Sequence, residues 1–314
     1  MDIGQASPGP SITRLVKILN LSCKNIKLPL HSMTRTSFAL VGLIMLAGCA
    51  SIMSSATSRM ADNITLAILN QNDLETVRVG APAYLLMLDG LIEGDPENTD
   101  ILLSGAKLYS SYTTTFIEDK DRAKRLANKS LVYARTALCI EAPYLCQALP
   151  AKLAQFEDAL ADTSLDELPV LYGFANAWAS WIQVNSADWN ALADLPKLTA
   201  LFEHCLKLDE NYDEGGSHIY LGVLSTQLPP SVGGKPEEGR VHFERANKLS
   251  GGKNLMINVL MAEHYARMVF DQELHDKLLQ TVLKQSADVP GLTLINTLAK
   301  QRANKLLQES VDFF

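Results

Sequence analysis

The sequence predicts an all-α protein built from successive pairs of helices. Leu- and Ala-rich stretches fill much of the 314 residues, whereas alternating runs of β-branched residues, which indicate strands, are few. Large and small residues recur at spacings that let one helix pack on the next. Helix start and stop signals frame at least one segment clearly, in 231–253. We therefore expect a degenerate array of helix pairs, an α-α superhelix.

The composition is that of an ordinary globular protein. Hydrophobic residues make up 47% and charged residues 20%, which is enough apolar chain for a large core. The net charge is -7, and after Gly48 the chain carries 23 basic and 34 acidic residues. An acidic chain without a basic stripe is a poor binder of nucleic acid, because phosphate contacts need clustered Lys and Arg. We expect no nucleic-acid partner.

The N-terminal region has the features of a secretory signal. Phe38–Ala47 reads FALVGLIMLA and follows Arg35. Ten residues are too few to cross a bilayer as a helix, but they suit the apolar region of a signal peptide. LAGC at Leu46–Cys49 resembles the bacterial lipobox, in which the Cys is lipidated. The alternative is a chance Cys49 after a small buried helix.

These features divide the chain into three parts. Residues 1–48 are a signal peptide with an over-long N-terminal region, and Met33 is an alternative start to Met1. Residues 49–60 form a lipid-anchored tether, and 61–314 form the helical domain. Ala50 follows Cys49, and by resemblance to enterobacterial sorting a non-acidic residue there favours the periplasmic side of the outer membrane.

The remaining cysteines do not suggest a metal site. In an oxidising compartment Cys139 and Cys146 are a candidate disulfide, although both could equally be small buried residues. Cys205 falls in a slot for a small packing residue. No CxxC or His-x3-His spacing occurs in the sequence, so we expect no bound zinc or other metal and no cofactor.

The stretch SVGGKPEEGRVHFERANKLSGGK holds two Gly-Gly-Lys triplets, which raises the question of phosphate binding. A Walker loop needs a Ser or Thr after the Lys, but Pro236 follows Lys235. Pro is common in the first turn of a helix, and the glutamates after it would be stabilised by the positive end of the helix dipole. Gly251 can end the helix at its C-terminus. The sequence therefore predicts one helix between two turns.

Helix pairs with large and small residues in register recur along the body. Leu102, Gly105 and Tyr109 follow the spacing of the first helix of a tetratricopeptide repeat, and Phe202 and Cys205 follow that of a second helix. The gaps between helices are irregular, so we expect degenerate repeats. The alternative is a helical bundle without repeats.

No catalytic set is visible in the sequence. It lacks a G-x-S-x-G elbow and an HExxH motif, and its adjacent carboxylates point in different directions. We expect a protein that is not an enzyme, and a hydrolase of cell-wall material ranks last. An aromatic cluster includes Trp178 and Trp181, three residues apart on one helix face. It either packs in the core or lines a groove for an apolar ligand or partner.

Several segments together resemble one family. LAGC, the segment YLLMLDGLIEGDPENTDILLSGAKLYSSY, the segment GGSHIYLGVLSTQLPPSVGGKPEEGRVHFERA and the closing ELHDKLLQTVL are similar to the T component of tetratricopeptide-associated TRAP transporters, a family of periplasmic lipoproteins. The resemblance covers nearly all of 49–314. It implies cryptic repeats and a homotrimer with a pore through each subunit. It also implies a periplasmic TRAP solute-binding protein as partner, which the protein would dock at the membrane while it helps pass a small or apolar ligand.

Stacked helix pairs form an extended face suited to such a partner. The candidates for this partner or ligand face, taken from the side opposite the packing set and from the aromatic cluster, are Lys107, Ser111, Trp178, Trp181, Ser217, Leu221, Asn258 and Tyr265. A second hypothesis is a tetratricopeptide-type outer-membrane lipoprotein that acts as a scaffold for envelope assembly.

Overall fold

A computed structural model describes residues 59–60 and 63–314, and within them the chain forms helices joined by short connections, with no β-strand. The all-α prediction is confirmed. The tetratricopeptide character of the repeats stays a prediction. The predicted signal segment 1–48, Cys49 and the tether up to residue 58 lie outside the described residues.

The helices follow one another closely along the chain. In order they are α1 (Leu74–Gly94), α2 (Thr99–Phe116), α3 (Lys120–Glu141), α4 (Pro143–Ala148), α5 (Leu153–Ala161), α6 (Leu168–Val184), α7 (Trp189–Leu192), α8 (Leu195–Leu208), α9 (Gly216–Ser225), α10 (Pro236–Leu249), α11 (Met256–Leu260), α12 (Gln272–Lys284) and α13 (Thr293–Phe313). Short 3-10 turns lie at Leu165–Glu167, Tyr212–Glu214 and Pro230–Val232, and a π-helical segment, Met261–Ala266, continues α11.

Side-chain caps and prolines fix where many of these helices begin. Asp73, Asn98, Asp119 and Asp271 precede α1, α2, α3 and α12, and each side chain accepts a hydrogen bond from a backbone N–H in the first turn. Such a bond satisfies a donor that has no partner within the helix. The helices α4, α6, α8 and α10 instead carry a Pro in the first turn, where no N–H is needed.

The helix predicted between the two Gly-Gly turns is confirmed as α10. It begins at Pro236, and Glu237 lies in its first turn. It ends at Leu249, after which Gly251 and Gly252 adopt positive φ angles of 59° and 71°. Only glycine adopts this conformation readily, so the second Gly-Gly pair acts as a helix stop.

The main apolar core lies where α2, α3 and α6 pack together, with α1, α8 and α9 against them. Its fully buried side chains include Ile101, Leu138, Phe156, Leu171 and Phe202. Two smaller apolar clusters lie between the helices of the C-terminal part, α10 to α13. The last helix returns to the first, since Leu294 of α13 belongs to the main core and the Gly291 N–H donates to Asn70 Oδ1 at 2.6 Å.

Cys139 and Cys146 form a disulfide. The bond joins the last turn of α3 to α4 across a sharp bend, and the two Cα atoms are 5.0 Å apart. Both cysteines are half-buried, so the alternative of two small buried free thiols is wrong. Cys205 is free and buried as expected, and burial raises the pKa of its thiol to about 12. Such a thiol is unreactive at neutral pH.

Candidate binding surfaces

The predicted partner face divides into exposed and buried residues. Lys107 and Ser111 are exposed on α2, and Trp181 is half-buried. The other five are buried and offer no surface to a protein partner: Trp178, Ser217, Leu221, Asn258 and Tyr265. For these five, the prediction that they lie on an open face is wrong.

Packing on both sides of the helices explains the burial. The helix α9 lies between α8 and α10, so it has no free face for Ser217 or Leu221. Gly222 of α9 lies against the Phe243 ring, where a Cβ atom would come within 2.8 Å. Tyr265 donates a hydrogen bond to Glu237 Oε1 at 2.8 Å across a helix contact. Trp178 contacts Phe156 and Phe174, with ring centroids 6.2 and 5.2 Å away.

Ser111 lines a narrow apolar cleft where the last helix meets the first ones. We call it the apolar seam, and its lining residues are Ile68, Val77, Ala81, Leu85, Leu108, Ser111, Tyr112, Thr115, Phe116 and Leu294. Its free volume is about 30 Å³, room for a water molecule or a slender apolar group. Ser111 is therefore the residue of the predicted partner face that lies at this apolar cleft.

A wider groove lies where the start of α3 meets the end of α6. We call it the tryptophan groove; it has a volume of about 620 Å³ and is lined by Lys120, Lys124, Gln183, Val184, Asn185, Ser186, Ala187, Asp188, Trp189 and Asn190. Trp189 is 84% exposed. Asp188 caps α7 by accepting from the Asn190 N–H at 2.9 Å, so the backbone that carries the indole is fixed.

The groove carries positive charge in an acidic chain. Lys120 and Lys124 are one helical turn apart on one face of α3 and line the groove. Arg125 follows Lys124, whereas Arg122 lies on the other side of the helix, with its guanidinium 5.9 Å from the centroid of the Tyr112 ring. All four side chains are exposed. Within the described part of the chain, none of the four forms an ion pair, and the acidic side chain that lines the groove is Asp188. These charges are available to a ligand or partner.

A carboxylate with three donors ties α1 to α2 and α3. Asp89 accepts hydrogen bonds from Tyr109 at 2.9 Å, Tyr133 at 2.7 Å and Lys129 at 2.5 Å. Burial opposes charge on Lys129, but the bond to Asp89 and the interactions with Tyr109 and Tyr133 together outweigh it and raise the pKa of this amine. Burial, and next the bond to Asp89, raise the pKa of Tyr133. All donors are used, so we interpret this cluster as structural.

A second polar cluster joins α9 and α10 to the loop before them. His218 Nδ1 lies 2.7 Å from His242 Nδ1, and His218 Nε2 lies 3.1 Å from Glu210 Oε1. Arg245 binds the same carboxylate through two nitrogens. The bonds from Arg245, then from His218, lower the pKa of Glu210 to about 2. Burial lowers the pKa of both histidines.

The described residues include neither a cluster of metal ligands nor a membrane-spanning helix. No group of three or more His, Cys, Asp or Glu side chains there could hold a metal ion. No helix there is long and apolar enough to cross a bilayer. His204 lies in α8, and its Nε2 atom is 2.7 Å from Thr163 Oγ1.

Sequence reasoning did not select Trp189 as a site residue. The spacing gave no signal of its exposure, because Leu192, three positions on in α7, is an apolar candidate partner for the indole. Lys120 and Lys124 were not selected either, and nothing local indicates that they lie beside α6.

Comparison with known proteins identifies the family. A search of curated proteins gives no match to the chain. A family model described as TRAP transporter T-component matches residues 70–314, which is most of the chain and all of α1 to α13. The match names the same family that the sequence segments resemble, including the segment that forms α9 and α10. The chain therefore belongs to the family of TRAP transporter T-components.

Proposed function

We propose that this protein docks the periplasmic solute-binding protein of a TRAP transporter and helps pass a small or apolar ligand. Membership of the T-component family implies an accessory role in TRAP transport, and the match over 70–314 carries the proposal. An accessory protein of this kind binds and positions other molecules and does no chemistry of its own.

Two surfaces support the two parts of this function. The tryptophan groove is open, wide and flanked by basic residues without ion pairs among the described residues, which suits a protein partner. The apolar seam is lined mainly by aliphatic and aromatic side chains, and its free volume of about 30 Å³ would have to widen to admit a slender apolar group, since ligand sites are usually at least about ten times larger. Ser111, the predicted face residue that lines the seam, is its exposed polar side chain.

The anchoring of the protein is part of the proposal. A lipid on Cys49 would hold the helical domain on the periplasmic side of the outer membrane, since two or three acyl chains give stable attachment. Cys49→Ala should leave an unlipidated precursor of higher mass. A variant that matures to the wild-type size and still partitions with membranes would contradict lipidation. We also propose a homotrimer, which light scattering of the detergent-solubilised protein would test.

Docking is tested by affinity capture of the full-length protein from its native envelope, followed by mass spectrometry. Recovery of a TRAP-type solute-binding protein, in amounts close to those of the bait, is the expected result. Recovery of envelope-assembly factors without a solute-binding protein would favour the scaffold hypothesis. Release of the captured binding protein by its own ligand would further tie docking to transport.

A further inference from the structure

The exposure of Trp189 has no structural explanation within its own helix. The α7 helix is anchored by the Asp188 cap and by Ala191, which is fully buried. Trp189 itself is 84% exposed, and its indole makes no ring contact with another aromatic side chain in the described part of the chain. A large apolar ring left in water gains free energy from any partner that covers it.

The surroundings of Trp189 indicate the charge of such a partner. Lys120 and Lys124 line the same groove and have no carboxylate partner among the described residues, and the one acidic side chain in the lining is Asp188. The chain as a whole has a net charge of -7, so this surface is opposite in sign to the molecule that carries it. A partner rich in Asp and Glu would be attracted to it and oriented by it.

We propose that the tryptophan groove is a docking surface for a folded protein with an acidic rim around an apolar pocket, into which the Trp189 indole inserts. Lys120 and Lys124 pair with carboxylates of that rim. The inference rests on the proposed docking function and assigns the groove as the contact surface for that partner. It also predicts that the partner's matching face is acidic.

The shape of the groove favours a protein over the other two candidates. Small-molecule sites enclose most of their ligand, whereas Trp189 stands almost fully in solvent. Tryptophans at a membrane interface adjoin an apolar surface that enters the bilayer, whereas this one borders a concave space of about 620 Å³ with three amide side chains in its lining: Gln183, Asn185 and Asn190. An exposed aromatic ring with a polar and charged rim is the usual arrangement of an interface hot spot.

The test uses the full-length protein in detergent and the purified solute-binding protein, with the dissociation constant measured by biolayer interferometry at low and moderate salt. The groove variants are Trp189→Ala and the double variant Lys120→Glu/Lys124→Glu. Leu165→Ala, an exposed apolar residue outside the groove, is the control for the first variant. Lys277→Glu/Lys305→Glu carries the same change in charge at exposed sites elsewhere and is the control for the second.

The expected result is a loss of affinity of roughly 30-fold for Trp189→Ala, as for a hot-spot residue, and wild-type affinity for Leu165→Ala. The double lysine variant should associate more slowly and lose most of the salt dependence, while its charge control should not. Equal affinity of groove variants and controls would overturn the inference and leave docking intact. Absence of binding by the wild type would overturn both.

The membrane alternative is tested in the same preparation with vesicles of phosphatidylglycerol. Vesicle binding that is lost in Trp189→Ala but not in Leu165→Ala would assign the surface to lipid and overturn the inference. Equal behaviour of the two variants towards vesicles, together with the loss of affinity for the solute-binding protein, supports it.

Discussion

Two tryptophans, eleven positions apart, lie in opposite environments. Trp178 is 5% exposed in the core between Phe156 and Phe174, whereas Trp189 is 84% exposed beside the groove. The first belongs to the long helix α6 and packs against its neighbours, while the second begins the short helix α7. The same residue type therefore supports the fold at one position and is free to bind at the other.

The largest effect on stability is expected from Trp178→Ala. Removal of a buried indole from a close-packed core leaves a cavity and should lower the free energy of unfolding by about 3–5 kcal/mol. Urea unfolding followed by circular dichroism at 222 nm would measure it. A loss below about 1 kcal/mol would mean that Trp178 is not part of a packed core.

A smaller effect is expected from Cys139→Ser/Cys146→Ser, because both side chains are only half-buried. The disulfide links two positions seven residues apart and so restricts the unfolded chain. Its removal should lower the free energy of unfolding by about 2 kcal/mol. Reduction of the wild type with dithiothreitol should give a similar loss, and the variant should not respond to the reductant. A response of the variant equal to that of the wild type would contradict the disulfide's role.

The half-buried cluster of Glu210, His218, His242 and Arg245 should make stability depend on pH. Burial lowers the pKa of both histidines, so the folded protein favours their neutral forms. Their contribution to the free energy of unfolding is therefore complete above the ordinary histidine pKa of about 6.5, and it is lost as the pH falls below that value. The lowered pKa of Glu210 adds a further loss below its ordinary pKa of about 4.5.

The measurement is the free energy of unfolding between pH 7.5 and 5. His242→Asn removes the close Nδ1 contact and should weaken this dependence, and the remainder is expected from His204 and His264, whose pKa values burial also lowers. A wild type whose stability rises on acidification would contradict the assignment of neutral histidines. Glu238, Arg245 and Glu210 are the charged groups that act on this pair.

The smallest effect on stability is expected from Trp189→Ala. The exposed indole contributes little packing, so the free energy of unfolding should stay within about 0.5 kcal/mol of the wild type. The comparison with Trp178→Ala, measured under the same conditions, separates a fold residue from a surface residue. A loss of more than 2 kcal/mol would mean that Trp189 packs in the folded protein.

The sequence predicted the ends of helices well, but it predicted poorly which helix faces are exposed. Pro236 and the Gly251-Gly252 pair marked both ends of α10, because caps and turns depend on residues next to each other. Ser217 and Leu221 were assigned to an open face, because their burial depends on α8 and α10 packing on both sides of α9. Lys120 and Val184 meet in one groove although they are far apart in the sequence, and no local pattern indicates that contact.

The central claim is that this T-component binds a solute-binding protein through the tryptophan groove. Photo-crosslinking in the native cells tests it most directly, with p-benzoylphenylalanine placed at position 189 and, as a control, at position 165. The account predicts a crosslink to a TRAP solute-binding protein from position 189 and none from 165. Crosslinks to that protein from 165 but not from 189, or from neither position, would contradict it.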